Sequence, residues 1–167
     1  MPLVFWKPSA YTIDSMREVH RSAILPYPGE AMFDLVADVE SYEHFLPWCT
    51  ESQILSSDKE PNQQGDGAYE VVACLGLSQG RLNGVFTTRN RVERPCSIRM
   101  QLIDGPFSAL TGEWRFESLG EDGCKLMLDM QFAFSNAVKD MLLGAVFEHT
   151  CNQLVDAFVQ RAGEIYA

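Results

Sequence analysis

Between residues 68 and 134 the chain runs through five strand-like segments with only a few residues between them, and this spacing limits the possible folds more than any other feature. The segments cover 68–75, 80–91, 97–103, 112–118 and 124–134. The breaks carry Gly76, Arg94-Pro95, Asp104-Gly105-Pro106 and Gly120-Glu121-Asp122-Gly123. Parallel strands need a crossover of about a dozen residues or more, so the sheet is predicted to be antiparallel. The last segment alternates most cleanly. Leu126, Leu128, Met130, Phe132 and Phe134 share one face, opposite Lys125, Asp129 and Gln131. Ile98, Met100 and Leu102, and Trp114 and Phe116, repeat the pattern on neighbouring segments, giving one large face rich in aromatic residues and methionine.

The flanking regions complete an α+β layout. Residues 16–25 alternate, with Val19, Arg21, Ala23 and Leu25 on one face, and read as a further strand. Pro26, Pro28 and Gly29 end it. Met32, Phe33, Val36 and Val39 then recur at helical spacing over 30–39, and a second short helix or turn spans 42–48. Residues 56–67 form a polar loop. The end of the chain, 136–166, reads as one long helix. Leu143, Phe147, Cys151, Leu154, Phe158, Ala162 and Ile165 form a docking stripe. Val138, Met141, Leu142, Ala145 and Val146 lie outside that stripe, so the first half is apolar nearly all round. Such a surface is buried, touches a membrane or covers a ligand. One long helix across a curved sheet is expected to leave an apolar space between them.

At 167 residues, 46% of them hydrophobic, the chain suits one domain with a sizeable core. Residues 1–15 read as a loosely ordered extension and 16–167 as the domain. The start lacks the basic head and apolar stretch of a secretory signal and the arginines of a mitochondrial presequence. No run reaches the roughly 18 apolar residues of a membrane span. The reading is therefore a cytoplasmic protein. Thirteen basic residues against 23 acidic ones give a net charge of −10, which argues against a broad nucleic-acid footprint. Cys49, Cys74, Cys96, Cys124 and Cys151 are odd in number and scattered, so reduced thiols are expected and neither a disulfide framework nor a metal site.

Catalytic patterns are absent. His20, His44 and His149 are far apart and belong to no nucleophile or metal motif. Gly76, Gly80 and Gly84 lack the Lys-Ser/Thr of a phosphate loop and read as easing strand bends. No acidic pair stands out as an acid–base couple. Arg81, Arg89, Arg91, Arg94 and Arg99 concentrate in two adjacent strands. Arg89, Arg91 and Arg99 share an outer face that reads either as solvated cross-strand ion pairs or as a contact for anionic lipid or ribosomal RNA.

Pro26-Tyr27-Pro28, the run from Leu35 to Tyr42, and Phe45-Leu46-Pro47-Trp48-Cys49 resemble the opening of the coenzyme Q-binding START-like family. Its bacterial members are labelled RatA-type ribosome association toxins, or oligoketide cyclase and lipid transport proteins. The likeness continues in order through Phe86-Thr87-Thr88-Arg89-Asn90, Asp104-Gly105-Pro106-Phe107, Trp114-Arg115-Phe116 and the run from Ala157 to Ala162, covering 16–167. It implies a helix-grip (START/Bet v 1-like) fold. In that fold a curved antiparallel sheet of six to seven strands surrounds a long C-terminal helix, with two short helices after the first strand. It also implies a non-catalytic protein that binds and transports a polyprenyl quinone such as ubiquinone, or a similar lipid, in support of respiration, with peripheral contact at the inner membrane. No cofactor beyond that ligand is expected, and no DNA partner. The tail is expected against Phe86, Met100, Leu102, Trp114, Phe116, Met130 and Phe132, with Met141, Leu142 and Val146 as a lid. Phe45, Leu46, Trp48 and Phe107 would frame the entrance, and His149 would offer a polar contact to the head group. The alternative implied by the toxin-labelled members is a module that binds the large ribosomal subunit and inhibits subunit association.

Overall fold

A computed structural model describes residues 16–60 and 67–167; the expected extension 1–15 lies outside the described residues. The elements run β1 (Arg17–Leu25), α1 (Gly29–Ala37), a 3-10 helix (Val39–His44), β2 (Cys49–Ser57), β3 (Gly67–Gln79), β4 (Leu82–Arg94), β5 (Ser97–Asp104), β6 (Phe107–Leu119), β7 (Gly123–Phe134) and α2 (Ala137–Tyr166). All seven strands join one antiparallel sheet in the order β1-β7-β6-β5-β4-β3-β2. The expected helix-grip layout is therefore present, with seven strands.

The alternation visible in the sequence is what seats the sheet. Val19 and Leu25 of β1 and Leu126, Leu128, Met130, Phe132 and Phe134 of β7 all point to the concave, buried side. Register shifts interrupt the pairing at Cys49/Glu51, Ile54/Ser56, Thr87/Thr88 and Phe107/Ala109. An extra residue on one strand bends it and raises its twist, and these irregularities curve the sheet.

Two expectations about the strands need correction. Sequence pattern alone assigns no strand to residues 49–55, yet β2 occupies them as the sheet's edge. Its two register shifts and its polar content (Thr50, Glu51, Ser52, Gln53) break the period-2 signal. Gly76, expected at a turn, lies inside β3, paired with Val85 on one side and Glu51 on the other. A Cβ there would come within 2.2 Å of Thr50 Oγ1, so glycine is needed for the close approach of the bulged edge strand. The turn itself falls at Gly80, whose φ of 58° suits a residue without a side chain.

Helix α1 follows Pro28 and buries Met32, Phe33, Leu35 and Val36 against β6 and β7. Tyr42, on the 3-10 helix, donates its hydroxyl hydrogen bond to the Val36 carbonyl and so closes the end of α1. Helix α2 starts at Asn136, whose side chain accepts a hydrogen bond from the Lys139 amide. The helix lies on the β1–β7 side of the concave face. Arg17 pairs with Asp140 at 3.1 Å and Glu148 at 3.6 Å. Arg21 donates to the Asn152 carbonyl and pairs with Asp156 at 2.8 Å. Gly144 lets Arg17 pass against the helix, since a Cβ there would sit 2.2 Å from the Arg17 Nε.

Phe158 is fully buried and meets the rings of Tyr42, Phe45 and Trp114 at centroid distances of 5.3 Å each. It ties α2, the 3-10 segment and the sheet at one point. Phe158→Ala is expected to cost about 3–5 kcal/mol, as large-to-small changes at buried aromatic residues do. The check is a drop in the urea midpoint at unchanged slope.

Candidate functional site

The concave face is not filled. With α2 held mainly against β1 and β7, and α1 mainly against β6 and β7, the two α-helices touch β3 and β4 only lightly and the 3-10 helix packs against β2, which leaves the inner surface there incompletely covered. A cavity of about 600 Å³ remains there. Its walls include Ile54 of β2, Val71, Ala73 and Leu75 of β3, and Phe86 and Val92 of β4. Trp48, Ile98, Met100, Leu110, Trp114 and Met130 continue the lining across the sheet. Phe147, Thr150, Cys151 and Leu154 of α2 close the far side.

One end is polar and reaches solvent. Asp34, Asp38, Ser57, Lys59, Tyr69 and Arg94 line it. Arg94 is ion-paired with Asp34 and lies over the Phe33 ring at 5.5 Å, and the Lys59 ammonium lies 5.2 Å from the Tyr69 ring centre. The other end is closed by phenylalanines: Phe107 and Phe132 each stand 4.7 Å from Phe147, and Phe86 packs edge-on to Phe107 at 5.8 Å. An apolar tunnel with a charged mouth suits an elongated apolar guest.

The structure brings together Phe86, Met100, Trp114, Met130 and Trp48 on the cavity wall. It places the other expected residues elsewhere. Leu102 and Val146 pack on the core without lining the cavity. Phe116 turns its ring to Phe33 at 5.2 Å, while Phe132 and Phe107 form the closed end instead of wall and entrance. Leu46 is core, and Phe45 packs on Phe158 beneath Arg161. The expected lid is a clear correction: Met141 and Leu142 are 72% and 50% exposed, beside Val138 at 61%. The helix turns Gly144, Phe147 and Cys151 inward, which leaves its other apolar side in water. His149 is exposed on that outer side and does not reach the cavity.

Sequence reasoning missed the polar groups inside. Thr88 and Asn90 point inward from β4, are each 6% exposed, and line the cavity. Thr88 donates a 2.8 Å hydrogen bond to Asn90 Oδ1. The available signal was two polar residues on the inward beat of an otherwise apolar strand. The one cysteine on the described cavity wall, Cys151, is not activated: burial holds its thiol well above the ordinary range, so it stays protonated. The five cysteines are free, and among the described residues no cluster could hold a metal ion. No described helix is long and apolar enough to cross a membrane.

Arg89, Arg91 and Arg99 do share the convex face, in an open groove. The sheet register places Glu70, Arg91, Arg99, Glu113, Asp129 and His20 in one row across six strands. Arg99 pairs with Glu113 at 2.8 Å, Arg115 with Asp129 at 2.8 Å, and His20 with Asp129 at 2.6 Å. The row is thus a ladder of cross-strand ion pairs, with Arg91 and Arg99 directly opposed and Arg89 one step along.

Chains similar to this one were found by sequence and by structure. The family profile for polyketide cyclase / dehydrase and lipid transport matches residues 25–159. The ribosome association toxin RatA of Pseudomonas aeruginosa is 43% identical over 148 residues, covering 89% of this chain and 96% of that protein. The mitochondrial coenzyme Q-binding protein COQ10 homolog B of Xenopus laevis is 31% identical, covering 89% of this chain and 59% of that one. Among solved structures, the Zhui aromatase/cyclase from Streptomyces sp. R1128 superposes with a TM-score of 0.71 at 22% identity, covering 89% of this chain and 94% of that one. A START superfamily protein from Mycobacterium smegmatis gives 0.72 at 19% identity, covering 89% and 98%. At these identities the structures show the fold alone.

The hydrogen bonds His20 donates to Asp129 and Glu18 raise its pKa above 6.5, and the same bond to Asp129 lowers that of the carboxyl below 3.8. A raised histidine pKa adds stability below its unfolded value, and that stability is lost as pH rises through the folded one. A lowered carboxylate pKa adds stability that is lost as pH falls through its folded value. The stability difference between the wild type and His20→Gln is therefore expected to peak between these two titrations and shrink on either side. Urea midpoints measured from pH 3 to pH 8 test this.

Proposed function

The chain belongs to the polyketide cyclase / dehydrase and lipid transport family, and from that premise we propose that it is a non-catalytic, ribosome-associating protein of the RatA type. The observation that carries this reading is the 43% identity to a protein named as a ribosome association toxin, extending over nearly the full length of both chains. Sequence motifs put quinone carriage first, and the curated relatives favour its alternative. Relatives named as a toxin and a binding protein support a role without catalysis, although solved neighbours of the same fold include an aromatase/cyclase.

The convex face supplies a surface for such contact. Arg89, Arg91 and Arg99 offer guanidinium groups suited to phosphate oxygens, within a protein of net charge −10. Contact with RNA through this patch is therefore local and salt-sensitive. The protein is expected to co-sediment with the large ribosomal subunit at low salt. Arg89→Glu combined with Arg91→Glu is expected to weaken that binding and to flatten its salt dependence, by about one unit of slope for every phosphate no longer neutralised. Absence of the protein from ribosomal fractions at low salt would sink the proposal.

A second reading rests on the cavity: the domain holds an apolar ligand, in keeping with the coenzyme Q-binding relative. At water's share of liquid volume, about 30 Å³ for each non-hydrogen atom, the space takes at least about twenty such atoms. A ring and a few isoprene units fit, and a longer tail would leave through the mouth at Asp34 and Lys59. The exposed Val138, Met141 and Leu142 give such a carrier an apolar foothold on a membrane surface. Met130→Asp, which places a charge in the wall, is expected to abolish uptake of an added short-chain polyprenyl quinone, while Arg89→Glu leaves uptake unchanged. Mass spectrometry of solvent extracts reads both.

A further inference from the structure

Asn90 is the polar centre of the cavity. Its neighbours in the sheet register, going across β3, β5, β6 and β7, are Val71, Met100, Gly112 and Met130, all on the same inner face. A Cβ at Gly112 would lie 2.3 Å from Met130 Sδ and 2.7 Å from Met100 Cε, so both thioethers fold over the bare glycine. The amide thus sits at the edge of a soft floor of two methionine side chains, which adapt to irregular guests at low cost.

The hydrogen-bond inventory of this corner is one-sided. Thr88 spends its only proton on Asn90 Oδ1, at 2.8 Å. That bond orients the amide and leaves both Nδ2 protons over. Among the described residues Nδ2 donates to no protein atom; the residue as a whole is 6% exposed, and Nδ2 itself is not fully buried, so its free protons face the cavity space. A guest that fills the cavity displaces water from this donor; if it offers no acceptor the amide is left desolvated and unpaired, whereas a group that accepts its proton avoids that penalty.

We infer that Asn90, oriented by Thr88, selects ligands that bring a neutral oxygen acceptor, such as a ketone or quinone carbonyl, into the interior, and that it discriminates against pure hydrocarbons. This rests on the cavity being a ligand site. The amide carries no charge and lies within apolar walls, so an anionic head group would lack compensation there. The charged residues are all at the mouth. A carbonyl-bearing ring therefore enters first, passes the mouth, and stops beside Asn90 with its apolar substituent over Met100 and Met130 or trailing outward.

Equilibrium dialysis with two matched probes, a geranyl-substituted benzoquinone and geranylbenzene, tests the inference on the full chain. The wild type is expected to hold the quinone about tenfold more tightly, the equivalent of one well-made hydrogen bond at roughly 1.4 kcal/mol. Asn90→Leu is expected to remove that difference by weakening quinone binding alone, with geranylbenzene binding kept. The ligand-free variant gives up the Thr88 hydrogen bond and is expected to show a modestly lower urea midpoint; a residue with a purely structural role would weaken binding of both probes alike, not of the quinone alone. Asn90→Ala, which withdraws the amide and leaves no side-chain donor in its place, gives the same loss of preference and serves if the leucine variant does not fold. Equal binding of both probes to the wild type, or a quinone preference that survives either variant, overturns the inference and leaves the cavity as a ligand site. Failure of both probes to bind overturns the ligand-site reading and the inference with it.

Discussion

The position of α2 decides what this molecule can contain. Two arginines on the edge strand, Arg17 and Arg21, bind the helix along its length through Asp140, Glu148, the Asn152 carbonyl and Asp156. Gly144 removes the Cβ that would otherwise push the helix off β1. These pairs are partly exposed and individually modest in energy. Their effect is geometric: they draw a 30-residue helix to one side of a curved sheet. The apolar stripe of Phe147, Cys151, Val155, Phe158 and Ala162 supplies the burial, and the arginines set the lateral position. The opposite half of the concavity stays open as a consequence.

That arrangement also explains which parts of the fold are legible in the chain. Strands with clean alternation, β1 and β7 above all, show nearly their true ends, because burial falls on every second residue along almost their whole length, with exposed residues between in β1 and half-exposed or exposed ones in β7 until Ala133. Edge strand β2 escapes a pattern reading because two bulges and a polar composition erase its periodicity. In α2 the sequence shows an excess of apolar residues but does not say which side is covered. Helical spacing fixes angles around the axis and leaves the absolute facing to tertiary contacts. Met141 and Leu142 fall on the wet side because Phe147, roughly 120–140° around the axis from them, takes the dry one.

Of the cavity, the methionines and tryptophans are legible and the polar pair is not. Aromatic and thioether residues on an inward beat announce an apolar wall whether or not space lies beside them. Thr88 and Asn90 lie within a motif that the chain shares with the START-like family, yet their chemistry becomes visible only once β4 is seen from inside. Convex and concave faces thus carry separate chemistries on the same strand: Arg89 and Arg91 outward, Thr88 and Asn90 inward, one residue apart. A single β-strand couples a charged exterior to a hydrogen-bonding interior through nothing more than its two-residue repeat.

The pairing of the first strand with the last has a kinetic consequence. Arg17 lies opposite Phe132, and Leu25 opposite Cys124. During synthesis β1 therefore waits, its edge unsatisfied, until almost every other strand has emerged from the translation machinery. Closing so long a loop is slow, and an unpaired strand edge invites association with other chains. The exposed polar residues Glu18 and His20 on β1 counter such association, and because β1 remains the outermost strand of the finished sheet they do so after β7 has paired as well.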